Sequence, residues 1–303
     1  MTEQHGADAG RNRPLGFVGV GNMGSRMTRN LLDAGYEVTV FDLDDERVEA
    51  MTDAGAEAAD SARAVAESAE TVLSSLPTVE AIESAYLGPE GILAGADDGT
   101  LLVEMSTTSP TVTARIAEEV ANTGVEFVDA PVIGIPPVAA AAELTIMVGG
   151  TEGAFERAEP VLSNLGTSVY HVGEVGSGHK SKLLNNMVLL GQYAIAAEAF
   201  ALAERVGVSQ ETLYEVITSG VASSDLIEAK LSKALAGDFD PADGSPADNA
   251  RKDLKYALDM GYDGHFTMPI TASVEEHFGL AQTVGEGEKD YSVLLRVLED
   301  LSA

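Results

Sequence analysis

The sequence predicts an α/β chain: a doubly wound, mostly parallel sheet in the N-terminal half, joined by a long helix to a second, all-α domain. Three observations carry this expectation. Short β-rich runs alternate with helix-like segments from Leu15 to about residue 175; a glycine-rich turn follows the first of those runs; and beyond residue 175 the β signal disappears while helical spacing continues.

In chain order, strands are expected at Leu15–Val20, Glu37–Phe41, Thr71–Ser75, Thr100–Glu104, Val125–Asp129, Leu144–Val148 and Thr167–His171. Strands separated by helical segments pair in parallel through right-handed crossovers, which makes the sheet doubly wound. Gly178 to Arg205 then reads as one long helix. Its apolar residues cover most of its circumference, which predicts burial on several sides. Further helices are expected at Gln210–Ser219, Asp225–Leu235, Ala247–Met260 and Met268–Thr283, broken at Gly220, between Gly237 and Pro246, and between Gly261 and Gly264. The division is therefore a disordered tail over residues 1–13, an α/β domain over 14–175 and a helical domain over 176–303. No internal repeat is found, and the alanines from Ala139 to Ala142 are read as close packing.

The 303 residues suffice for two domains, since single cores stop growing near about 250–300 residues. Against 49 Asp and Glu stand 18 Lys and Arg, a net charge of −31 that repels phosphate backbones and anionic lipid, so nucleic-acid and membrane partners are not expected. Because 45% of the residues are hydrophobic, the acidity belongs to the surface of a folded protein, read here as adapted to concentrated salt. Cysteine is absent, which removes disulfides and thiolate chemistry and fits a soluble cytoplasmic protein. Residues 1–13 lack the apolar run of a secretory signal. The longest apolar tract, Met187 to Ala203, is interrupted by Gln192 and Glu198, so no membrane segment is expected.

Gly19-Val20-Gly21-Asn22-Met23-Gly24 fits G-x-G-x-x-G, a weak signal alone in a chain with 31 glycines. Its setting is stronger: a strand leads in, a helix from Met23 to Leu32 leads out, and the next strand ends at Asp42, 18 positions after Gly24. Gly19 permits the tight turn, Gly21 the approach of a pyrophosphate and Gly24 close packing of helix on strand, while the helix start attracts the phosphates. Asp42 can accept from an adenosine ribose. Asp42, Asp44 and Asp45 together would repel a 2′-phosphate, which favours NAD over NADP. The plainer alternatives are a turn without ligand and a solvated loop acid.

Of seven lysines, Lys182 lies inside the apolar joining helix, where an ammonium is costly unless used or paired. Asn185 and Asn186 follow at i+3 and i+4, so both amides share its helix face. Desolvation and a nearby positive nicotinamide would lower the amine's pKa and let it take a hydroxyl proton. The alternative is a lysine that snorkels to water beside two structural asparagines. Lys180 reads as solvated. His179 lies one turn before Lys182, from where it could perturb the lysine; the plainer reading, taken here, is a surface histidine. His5, His171, His179, His265 and His277 have no metal-binding spacing, and no G-x-S-x-G elbow is present.

Four motifs now stand in order: Gly16 through Gly24; Asp129-Ala130-Pro131-Val132 with Leu144 to Gly150; Gly176-Ser177-Gly178 through Lys182 to Asn185-Asn186; and Lys252-Asp253-Leu254. With them the chain resembles the β-hydroxyacid dehydrogenase family, typified by 3-hydroxyisobutyrate dehydrogenase, from about Leu15 to Arg296. The resemblance implies a Rossmann-type N-terminal domain and a helical domain that forms homodimers or homotetramers. It also implies oxidation of a small hydroxy acid by NAD or NADP in the cleft between the domains. Lys182 matches the catalytic lysine, Asn186 the asparagine that positions substrate, and Lys252 a lysine that closes over the cofactor. Leu76, Pro77 and Thr107 fall in cofactor-touching loops, and Ser106 and Asn185 fall on the substrate side.

The substrate loop departs from the family. Where Ser-Gly-Gly commonly follows Asp-Ala-Pro-Val and binds the substrate carboxylate, this chain has Ile133, Gly134 and Ile135, followed by the stiff Pro136-Pro137. The hydroxyl is gone and the pocket is reshaped. The segment Asp238 to Asn249 is polar and acidic where relatives often carry an aromatic residue, which disfavours a highly charged anionic substrate. Two other readings stay open: an aldehyde-acid or imine reductase, and a non-catalytic NAD-sensing or assembly protein, against which the presence of both Lys182 and Asn186 argues.

Overall fold

The computed structural model describes residues 14–242 and 245–302, and the expected tail over 1–13 lies outside them. Each of the seven expected strands forms within one or two residues of its expected ends. They are β1 (Leu15–Val18), β2 (Val38–Phe41), β4 (Thr71–Ser74), β5 (Leu101–Glu104), β6 (Glu126–Asp129), β8 (Leu144–Gly149) and β9 (Gly166–Gly173). Two short strands were not anticipated, β3 (Glu57–Ala58) and β7 (Val132–Ile133). The sheet order is β3-β2-β1-β4-β5-β6-β8-β7, with β9 also on β8. From β3 to β6 every pairing is parallel. The antiparallel pairs are β6 with β8 and β7 with β8, in one register that is interrupted at Ala130-Pro131.

Side-chain alternation buries both faces of this sheet. Phe17, Leu73, Val103 and Val128 enter one core with Met27, Leu31 and Leu162, while their neighbours Val18, Val72, Leu102 and Phe127 enter the other with Val65, Tyr86 and Ile116. Several helices start on a hydroxyl that caps a backbone N–H: Ser61 for Ala62–Ser68, Thr78 for Val79–Leu87, Ser109 for Pro110–Val120 and Thr151 for Glu152–Leu162. The helix Gly24–Asp33, which follows the glycine turn, has no side-chain cap and no acid in its first turn.

The chain divides into two compact units, the first running to Lys182 and the second starting at Leu183, so the boundary falls inside the long helix Ser177–Ala203. In the second unit the described residues form helices Gln210–Thr218, Asp225–Leu235, Ala247–Asp263, Pro269–Thr283 and, beyond those expected, Leu294–Ser302. Tyr193 and Phe200 of the long helix share a core with Leu254, Phe278 and Leu294. Within that core Lys230 Nζ donates to Asp290 Oδ2 at 2.6 Å and lies over the Tyr291 ring.

The long helix differs from its expectation. Leu190, Tyr193, Ala197 and Phe200 are buried, but Leu184, Val188, Ile195 and Leu202 are 51–64% exposed. These four recur along one side, so burial is one-sided within a single chain. By length and composition Ser177–Val206 is also apolar enough to cross a membrane, with a mean hydropathy of 1.3 in its most apolar window. Part of that apolar content belongs to the face packed into the helical core, and the exposed stripe supplies more.

Candidate active site

In a parallel sheet the loops after successive strands gather at one edge, and β1, β2, β4, β5 and β6 all end there. The turn after β1 is tight. Gly19 has φ +90°, and a Cβ on Gly24 would run into the Gly19 carbonyl, so helix and strand approach at a distance that excludes a side chain. A Cβ on Gly19 would meet Ser75 and Leu76, which joins this turn to the loop after β4. Asn22 is exposed, Met23 half-buried and Pro77 exposed.

Asp42 Oδ2 accepts the Val20 N–H at 2.8 Å and Oδ1 the Asp44 N–H at 3.0 Å, so the acid after β2 is bound into the glycine turn. Arg47 lies beside it. Its Nη1 is 3.9 Å from Asp42 Oδ1, its Nε is 3.1 Å from Asp44 Oδ2, and its guanidinium borders the space over Gly21. Sequence reasoning counted the acids here and missed this cation, which lessens their repulsion of an anion. The uncapped helix start and the glycine turn fit the pyrophosphate of a dinucleotide, and Asp42 fits its ribose.

After β5, Ser106 is 4% exposed and held from several directions. Its N–H donates to Glu104 Oε1 at 2.8 Å, its Oγ accepts the Leu76 N–H at 2.8 Å, and its carbonyl lies 3.0 Å from His179 Nε2. Thr107 beside it is half-buried. Burial pushes the Glu104 carboxyl up to about 7, against the bonds from Ser106 and with help from the nearby Asp129 charge.

After β6, Asp129 is fully buried and grips the start of the long helix: Oδ1 accepts the Gly176 N–H at 2.6 Å and Oδ2 the His179 N–H at 2.7 Å. A Cβ on Gly178 would stand 2.5 Å from the carbonyl oxygens of Asp129 and Met147, so the first helical turn lies against the strand ends. The β7 turn leads to Ile133, half-buried, and to Gly134 and Ile135, both exposed, Ile135 by 40%.

His179 is the chief correction. Read as a surface residue, it has no solvent exposure, because Asp129, Thr113 and Ser106 enclose it from three distant parts of the chain. Lys182, three residues on, is half-buried and Lys180 exposed as expected. Asn185 Nδ2 donates to Asn186 Oδ1 at 3.2 Å. In the second unit Asn186 Nδ2 donates to Asp253 Oδ2 at 2.7 Å, a buried contact between the long helix and Ala247–Asp263. The neighbouring Lys252 is half-buried with Nζ 3.9 Å from Asp253 Oδ1. The glycine turn, Asp42, Leu76, Ser106 and the Ile133–Ile135 loop thus share one edge of the first unit, and Asn186 and Lys252 meet Asp253 in the second. No cluster of metal-ligating side chains occurs among the described residues.

Two family models cover nearly all of this. Residues 14–173 match the NAD-binding domain of 6-phosphogluconate dehydrogenase, and residues 176–298 match the NAD-binding region of NADP-dependent 3-hydroxyisobutyrate dehydrogenase. The chain is 38% identical over 289 residues, 95% of each chain, to 2-(hydroxymethyl)glutarate dehydrogenase of Eubacterium barkeri. The chain belongs to the 3-hydroxyisobutyrate dehydrogenase family. Another member, 3-hydroxyisobutyrate dehydrogenase of Pseudomonas aeruginosa, is 42% identical over 203 residues, covering 67% of this chain and 68% of that one. The structure of the Mycobacterium tuberculosis 3-hydroxyisobutyrate dehydrogenase with L-serine superposes with a TM-score of 0.86 at 31% identity, over 94% of this chain and 99% of the other. The mostly parallel sheet followed by a helical domain is therefore the fold of this dehydrogenase family.

Proposed function

We propose that the chain is an NAD-dependent dehydrogenase of a small β-hydroxy acid of the 3-hydroxyisobutyrate class, with Lys182 as the proton acceptor. The observation that carries this reading is that Lys182 stands one turn into a helix whose start is bound by Asp129 to the same sheet edge that bears the glycine turn. A bound nicotinamide would supply the acceptor for the hydride that leaves the carbinol carbon. Lys182 Nζ takes the hydroxyl proton as the C–O bond becomes a carbonyl, and reduction reverses the transfer. Asn186, with Asn185 beside it, orients the substrate. The turn from Gly19 to Gly24 holds the pyrophosphate, Asp42 the adenosine ribose, Leu76, Pro77 and Thr107 line the cofactor, and Lys252 closes over it.

A preference for NAD is supported by Asp42, bound into the glycine turn, and by Arg47, engaged by Asp42 and Asp44. Ser106 meets the substrate from the β5 loop. The Ile133-Gly134-Ile135 loop, with two apolar side chains, favours a small substrate, and the acidic segment Asp238 to Asn249 disfavours a highly charged anionic one. The same loop, lacking the serine hydroxyl, supports a second reading as a reductase of an aldehyde acid or imine. The stripe of Leu184, Val188, Ile195 and Leu202 supports a homodimer or homotetramer, and the cysteine-free, acidic composition supports a cytoplasmic enzyme working in concentrated salt.

The test is saturation kinetics with NAD+ and NADP+ in molar salt, using 3-hydroxyisobutyrate, related hydroxy acids and the corresponding aldehydes and imines. Turnover of a hydroxy acid with NAD+ preferred is expected, and faster imine or aldehyde reduction with no alcohol oxidation would select the second reading. Lys182→Ala is expected to lower kcat about 100-fold or more while NAD+ binding stays within about twofold. Near-normal turnover of that variant would remove the lysine from its role.

A further inference from the structure

The ring of His179 takes no part in the reaction proposed above, yet both of its nitrogens are bonded. Its Nε2 is 3.0 Å from the Ser106 carbonyl oxygen, and its Nδ1 is 2.8 Å from Thr113 Oγ1 and 3.3 Å from Asp129 Oδ2. A carbonyl oxygen only accepts, so Nε2 carries a proton. Burial holds the imidazole below its ordinary pKa, against the opposing pull of Asp129, and Nδ1 pairs with the Thr113 hydroxyl. The charged groups around it are Asp129, whose carboxylate also binds the backbone beneath it, and Glu104, one hydrogen bond away through Ser106.

These contacts fix a direction. Asp129 captures the N–H groups of Gly176 and His179, which sets the height of the helix start. Gly178 lies against the carbonyls of Asp129 and Met147, which sets the distance. The ring of His179, reaching to Ser106 beyond β5 and to Thr113 in Pro110–Val120, adds contacts far from the axis and so sets the rotation. Lys182 follows His179 at i+3 and Gly178 at i+4, the spacings that place side chains one above another on a helix. We propose that His179 is a positioning residue for Lys182: pinned between the Ser106 carbonyl and the Thr113 hydroxyl, it fixes the rotation at which the first turn of the long helix presents the lysine. This inference rests on the reading of Lys182 as the proton acceptor.

The experiment compares His179→Leu, His179→Gln and Thr113→Val with the full chain. Leu keeps comparable bulk without either nitrogen, Gln keeps an N–H donor near the place of Nε2, and Thr113→Val removes one hydroxyl. Two readouts are taken on folded protein: kcat and KM for substrate and cofactor with the pH profile of kcat, and the rate of reductive methylation of Lys182 against pH in cofactor-free protein, followed by mass spectrometry with Lys180 as internal reference. His179→Leu is expected to lower kcat about 10-fold or more while KM for NAD+ stays within about twofold, as misplacement of a reacting group does. It should also shift the Lys182 labelling profile while that of Lys180 stays put, and His179→Gln should recover most of both. Should His179→Leu fail to fold, Thr113→Val carries the test with a smaller loss of the same kind. A melting temperature that falls while kcat and the Lys182 labelling profile hold would overturn the proposal, as would a Gln variant no better than Leu. Activity retained in Lys182→Ala would instead defeat the catalytic reading, and the labelling arm, which needs no turnover, tells the two failures apart.

Discussion

Glu104 closes β5 with no solvent exposure, its carboxyl bonded to the Ser106 N–H and facing the Ser74 hydroxyl. Its pKa is pushed from the ordinary 4.5 up to about 7. The sign follows from comparing folded and unfolded chains. Below pH 4.5 both hold the proton, and the full contribution to stability is present. Between 4.5 and 7 the unfolded chain releases the proton while the native state retains it, so stability falls as pH rises, and above 7 the contribution is gone. At about 1.4 kcal/mol per pH unit this is on the order of 3 kcal/mol. Glu104→Gln cannot titrate. Urea denaturation at pH 4.5 and at pH 8 should therefore show wild type losing on the order of 3 kcal/mol more than the variant between the two, a difference in which the other carboxylates cancel. Equal losses would mean that the buried carboxyl ionises as freely as an exposed one. Residues such as this were not legible in the sequence. Glu104, Ser106, Thr113, Asp129 and His179 are brought together from β5, its loop, a helix, β6 and the long helix, and no local spacing announces a network whose members meet only after the sheet has formed. The glycine turn and Asp42 were legible because their partners lie within one βαβ unit.

At the scale of elements, seven of the strands, the first helix, the long helix and the four helices from Gln210 to Thr283 followed from periodicity, since each is decided by the burial pattern of its own residues. The helix Leu294–Ser302 was missed although Leu294, Leu295, Val297, Leu298 and Leu301 repeat at helical spacing, a signal present in the sequence but short and close to the end of the chain. The long helix was found but its burial was misjudged. Spacing identifies apolar faces; it does not say whether one chain has enough surface to cover all of them. Leu184, Val188, Ile195 and Leu202 stay open, and the homo-oligomer proposed above would cover them. If they form the seam between copies, Val188→Glu with Ile195→Glu should place two further acids against their own symmetry mates. The oligomer is then expected to fall to a lower mass in light scattering at 0.1 M salt, with circular dichroism unchanged. An unaltered mass would move the interface elsewhere.

Over the whole molecule the acids outnumber the cations by 31, so pairing alone cannot neutralise the surface. Many of the ion pairs that do form are exposed, such as Arg63 with Glu67 and Arg115 with Glu83, and exposed pairs contribute roughly 0–1 kcal/mol each. The unpaired acids repel one another more strongly in the compact state than in the expanded chain, because folding brings them within a screening length. That length is about 10 Å at 0.1 M salt and about 3 Å at 1 M, so added salt should relieve the native state more than the unfolded one. The melting temperature is accordingly expected to rise between 0.1 M and 2 M sodium chloride, by about 3 °C if screening contributes on the order of 2 kcal/mol to a chain of this size. Salt also strengthens apolar burial, an effect that osmolytes share without screening any charge. Sucrose series run at low and at high sodium chloride separate the two: screening of the acids requires a rise from salt that sucrose does not reproduce. It also requires that changing a set of exposed acids to their amides flatten the salt dependence. A melting curve indifferent to salt, or one that sucrose shifts as far, would mean that the acidic surface is tolerated by the fold with no dependence on its surroundings.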